Sequence, residues 1–125
     1  MMAAAGIAMP RIEPVGTSDE TWRLVEDYHA DIGGYMIVVP AGFVTDGASI
    51  PRFLWRLCGH PMSTRRFPAA VIHDWLYSGA VPCDRKFADG IYRDALVLLG
   101  FPRWKAELEY CTLRLCGGAH WKGEP

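Results

Sequence analysis

Residues 84 to 99 read as one amphipathic helix, and this stretch constrains the fold more than any other. Asp84 stands where an N-cap acid accepts a backbone amide, and Phe87, Ala88, Ile91, Tyr92, Ala95, Leu98 and Leu99 recur at the helical period. Gly100 ends the helix. Pro102 opens another, Arg103 to about Leu115, with Trp104, Leu108, Cys111 and Leu115 expected as its core stripe and Gly117-Gly118 as its stop. Upstream, Phe67, Val71 and Trp75 at i, i+4 and i+8 predict a helix from Phe67 to Tyr77, closed by Ser78-Gly79. A connection of about six residues makes this helix and the 84–99 helix antiparallel neighbours.

The first half carries a different pattern. Trp22 to Tyr28 alternates loosely, Tyr35 to Val39 is β-branched and apolar, and Gly33-Gly34 lies between them, so the two runs read as a β-hairpin. Ala41 to Val44 adds a short third strand. Ser49 is placed to cap a short helix over Ile50–Leu57, with Pro51 in its first turn. The fold class is therefore α+β, a small N-terminal β-hairpin or three-stranded element followed by a three- to four-helix bundle. With 125 residues the chain makes one domain. Residues 1–20, rich in Ala, Pro and Gly, are expected as a flexible arm, 21–121 as the domain and 122–125 as a tail.

Composition removes several classes of function. A net charge of −1 gives no broad electrostatic hold on nucleic acid. No run approaches the roughly 18 apolar residues of a membrane span. Met1 to Pro10 lacks the basic start and long apolar run of a signal peptide. Cys58, Cys83, Cys111 and Cys116 include no Cys-x-x-Cys pair, which argues against zinc-ribbon and thioredoxin readings and for reduced thiols. Cys111 and Cys116 read most simply as core thiols.

Chemistry concentrates at Val71-Ile72-His73-Asp74-Trp75-Leu76-Tyr77. His73 and Tyr77 share one helix face, while Asp74 points roughly 100° away. A histidine and an aspartate on a helix this apolar need partners. Asp84 and Asp89 are the acids that the antiparallel neighbour can bring to His73. Asp84 competes as an N-cap, whereas Asp89 sits mid-helix between Ala88 and Gly90. A carboxylate on the second ring nitrogen would fix the tautomer and raise the basicity of the first. Asp46-Gly47 is either a plain turn or a hard-cation loop. Arg52, Arg56, Arg65 and Arg66 make a basic region, read either as a solvated face or as a site for an anionic substrate.

From Val39-Pro40-Ala41-Gly42-Phe43-Val44-Thr45-Asp46-Gly47-Ala48-Ser49-Ile50-Pro51-Arg52 onward, the chain resembles a phage- and prophage-borne family catalogued as a domain of unknown function, number thirteen fifty-three. The same pattern includes Ile72–Tyr77, an Arg-x-x-Ala-Asp helix at Arg85 to Asp89, and Gly117-Gly118 before Trp121. The resemblance implies a viral or integrated-element origin. His73-Asp74-x-x-Tyr77 is also similar to the His-Asp-x-x-Tyr helix of secreted phospholipases A2. In those enzymes the His activates water, the Asp binds calcium with carbonyls of an upstream loop, and an Asp from a facing helix supports the His. That resemblance implies Asp74 with Asp46 and the Val44–Ala48 loop for Ca2+, His73 as base, and Asp84 or Asp89 as its support.

Two functions follow from these readings. One is a small metal-assisted hydrolase acting on a lipid ester or a cell-envelope bond. The other is a virion, tail or assembly component whose polar cluster only fixes the helix pair, partnered by other phage proteins.

Overall fold

The computed structural model describes residues 7–16, 21–45 and 66–123. Its strands are β1 (Ile12–Pro14), β2 (Trp22–Leu24), β3 (Tyr28–Ile32), β4 (Tyr35–Val39) and β5 (Val44–Thr45). Three helices follow, α1 (Phe67–Tyr77), α2 (Arg85–Leu98) and α3 (Arg103–Cys116), then a 3-10 turn over Gly117–His120. The class is α+β, with the strands preceding the helices. The expected helix over 50–57 and its Ser49 cap lie outside the described residues, as do Asp46, Arg52 and Arg65. No described helix is long and apolar enough to cross a membrane.

The strands pair differently from the expected hairpin. Gly33 and Gly34 adopt φ of +59° and +88°, the left-handed pair that a two-residue hairpin turn needs. They close β3 onto β4, with Ile32 opposite Tyr35 and Tyr28 opposite Val39. Alternation then turns Tyr28, Ala30, Ile32, Ile37 and Val39 inward. Bends at Val25 and Glu26 split the 22–28 run, so β2 leaves for a separate sheet of order β1-β2-β5. There Trp22 faces Pro14 on one side and Thr45 on the other. The third strand thus pairs with β2 and forms over Val44–Thr45 rather than 41–44. Part of the expected arm is also tied down, since Ile7 is buried and β1 pairs with β2.

α1 is the central helix, buried at every position except Asp74 and Trp75. It packs against β4 and β5 on one flank and α2 on the other, and α2 in turn packs on α3. Asp84 caps α2 by accepting the Phe87 amide at 2.7 Å. At the other end the Gly100 and Phe101 amides bond back to Val97 and Leu96, both at 3.0 Å, in a Schellman closure. The core combines the inner faces of β3 and β4 with Val71, Ile72, Leu76, Ile91 and Leu96. Each such side chain contributes about 1.5–3 kcal/mol by leaving water.

The expected core stripe of α3 is on the wrong face. Trp104 and Leu115 are 68% and 85% exposed and Cys111 is exposed, so the last is no core thiol. The buried residues are Ala106, Glu109, Thr112 and Leu113. An ion pair selects that face. Arg66 donates to Glu109 Oε1, and the Tyr92 hydroxyl donates to the same oxygen at 2.8 Å. A glutamate reads as solvent-facing in a sequence, yet with a buried arginine opposite it becomes an interior residue. Arg66 is therefore spent inside and does not join a solvent-facing basic region.

Candidate active site

Helical spacing and the antiparallel packing of α1 on α2 assemble a polar cluster in the core. His73 and Tyr77 lie one turn apart on the α1 face toward α2, and Asp89 faces them. His73 Nε2 lies 2.9 Å from Asp89 Oδ1, and the Tyr77 hydroxyl donates to the same oxygen at 2.6 Å. Asp89 Oδ2 accepts from Arg114 Nη1 at 2.9 Å, with Arg85 Nη1 at 3.7 Å. Arg85 donates further to the Leu113 and Arg114 carbonyls, at 2.9 and 3.2 Å, where the end of α3 offers unpaired oxygens. The His73 ring packs against Tyr77 and Tyr92, with centroids 4.0 and 5.1 Å away.

Electrostatics fixes the protonation pattern. Burial alone would raise the Asp89 carboxyl, but hydrogen bonds from His73 and Tyr77, the His73 charge and the Arg114 bond outweigh it and hold the group below the usual carboxylate range. Burial first, and the Asp89 bond second, push the Tyr77 hydroxyl well up, so it stays a donor. An ionised carboxylate only accepts. Nε2 of His73 therefore carries the hydrogen toward Asp89.

Asp74 lies on the next flank of α1, half-buried, and accepts the hydroxyl of Thr45 at the end of β5. Beside it, Trp75 meets Phe43 edge-on at 5.2 Å. Thr45 is the last described residue before Asp46 in the sequence. Among the described residues no group of three or more His, Cys, Asp or Glu side chains is arranged to hold a metal ion.

Of the acids considered for His73, Asp89 makes the contact and Asp84 is occupied in capping α2. The sequence alone assigns no role at the cluster to Arg114 or Arg85. Arg85 stands four residues before Asp89, a spacing that shares a helix face and so could have flagged it. Arg114 is 25 positions away and left no local signal.

The fold and the cluster define a class, an α+β domain whose central helix turns a carboxylate-anchored His–Tyr pair inward and an aspartate toward a sheet edge. The chain belongs to the family described as "Protein of unknown function (DUF1353)", whose model matches residues 22–113. Gly117, Gly118 and Trp121 lie past that matched stretch. "Uncharacterized protein y4jT" of Sinorhizobium fredii is 33% identical over 91 residues, covering 70% of this chain. The match spans about a quarter of that protein's length, 26%. No solved structure matches the chain.

Proposed function

We propose that this chain is a phage- or prophage-encoded, metal-assisted hydrolase in which His73 is the general base. The observation that carries the reading is the double grip on Asp89 Oδ1, where His73 Nε2 at 2.9 Å and the Tyr77 hydroxyl at 2.6 Å meet one buried carboxylate. The reading takes the His-Asp-x-x-Tyr helix of phospholipases A2 as its template, with Asp89 in the part of the supporting acid. In the reaction His73 Nδ1 takes a proton from water, the water oxygen bonds to the ester carbonyl carbon, and the imidazolium returns the proton to the departing alkoxide. Asp89 holds the ring and offsets its charge during transfer, and Arg114 and Arg85 hold Asp89. Asp74 with Asp46 and the 44–48 loop carbonyls would hold Ca2+, which when bound supplies positive charge for the developing oxyanion. Arg52 and Arg65 are proposed for an anionic part of the substrate. An apolar groove lined by Trp75 with Tyr35, Met36, Val38, Val81 and Phe87 is the surface proposed for the acyl part of a lipid ester. The phage or prophage origin rests on the signature resemblance.

A second reading draws on burial. His73 is 1% and Asp89 0% exposed, as befits a cluster that only locks α1 to α2. The chain would then be a virion or assembly component, docking other proteins through exposed Tyr35, Met36, Trp104 and Leu115.

Fatty-acid release from phosphatidylglycerol vesicles with Ca2+ separates the two. The hydrolase reading expects His73→Ala and Asp89→Asn to lower the rate by about 100-fold or more, with Asp84→Asn unchanged. Release that survives His73→Ala, or none from vesicles or from cell envelopes, leaves the assembly reading.

A further inference from the structure

The chain past Cys116 folds back onto the site. Gly117 ends α3 with φ −76° and ψ −14°, a conformation open to any residue, so backbone geometry does not call for glycine here. Space does. A Cβ at Gly117 would lie 2.5 Å from the Tyr77 hydroxyl oxygen and 3.3 Å from Arg85 Nη1. The hydroxyl has little room to yield, because it is buried and already donates to Asp89 at 2.6 Å. Two further contacts hold the same tyrosine. Trp121 meets its ring edge-on at 5.2 Å, and the Lys122 amide donates to its carbonyl at 2.9 Å. The far end is fitted equally closely, since a Cβ at Gly79 would lie 2.6 Å from the Lys122 carbonyl oxygen.

We propose that Gly117–Lys122 is a clasp for the polar cluster, and that Gly117 is a positioning residue that sets the Tyr77 hydroxyl on Asp89 and, through Asp89, the ring of His73. Its part in catalysis rests on His73 being the base. Its geometric part does not. The clasp also gives a purpose to Gly117 and Trp121 of the Gly-Gly-x-x-Trp motif, which the fold of α3 alone leaves unexplained.

The test is a double-mutant cycle in the full chain, Gly117→Ala and Tyr77→Phe, read by thermal unfolding and by nitrogen-15 spectra of labelled histidine. Alanine is the better helix former, so at an open helix end Gly117→Ala would raise Tm. The clasp predicts the opposite sign, a fall of roughly 5 °C, together with a shifted His73 Nε2 resonance. In Tyr77→Phe the obstructing oxygen is gone, and the same substitution leaves Tm level or raises it. Should Gly117→Ala alone not fold, recovery of folding in the double variant carries the same meaning. A Gly117→Ala that is as costly beside Phe as beside Tyr, or that leaves the His73 resonance in place, overturns the proposal. No substrate enters these readouts, so the clasp and the hydrolase reading can each fail without the other.

Discussion

Asp89 concentrates the chemistry of the cluster at one residue. Its carboxylate is out of water, accepts from His73, Tyr77 and Arg114, and is held below the usual carboxylate range by those bonds despite its burial. A depressed folded value means that the unfolded chain binds the proton more readily. The stabilisation is thus fully present above the unfolded carboxylate value of about 4, and is lost as pH falls through the folded one. Asp89→Asn should cost roughly 3 kcal/mol at neutral pH, because it leaves Arg114 and Arg85 beside a neutral group. It should also flatten the decline in stability below about pH 4, which urea unfolding across pH would measure. His73, Tyr77 and the choice between Asp84 and Asp89 could be drawn up from helix spacing and loop length alone. Arg114 could not, because it reaches Asp89 only through the packing of α3 on α2.

At the scale of elements, legibility depends on what each face buries. α1 and α2 bury mostly apolar side chains, so the period of hydrophobic residues finds both helices and the face of α2. α3 buries Glu109, which Arg66 and Tyr92 satisfy, and its apolar Trp104, Cys111 and Leu115 face outward. A pattern of hydrophobicity has no means of pairing Glu109 with an arginine 43 positions away. The pairing of the strands departs from the expected hairpin for another reason. The two glycines set the hairpin turn correctly, but which run pairs across it depends on the bend at Val25 and Glu26. The face of α3 has a direct check in a pair of alanine substitutions. Leu113→Ala should lose about 3 kcal/mol by opening a cavity, whereas Leu115→Ala should change stability by under about 0.5 kcal/mol. Equal costs in denaturant unfolding would return the core of α3 to the stripe read from the sequence.

Across the whole molecule, α1 divides the proposed labour between two flanks. The flank toward α2 holds His73 on a buried carboxylate that three donors fix, and the flank toward β5 holds Asp74 against Thr45, one residue before Asp46. β4 and β5 seat one flank and α2, backed by α3, the other, so both halves of the proposed site depend on a single helix. Asp74 carries the heaviest demand in the proposed site, since there it must hold a cation rather than merely fix β5 to α1. Calorimetric titration of the purified full-length chain with Ca2+, alongside Asp74→Asn and His73→Ala, addresses this directly. Saturable binding that Asp74→Asn abolishes and His73→Ala preserves is the predicted result. No saturable heat, or binding that Asp74→Asn leaves intact, would contradict it.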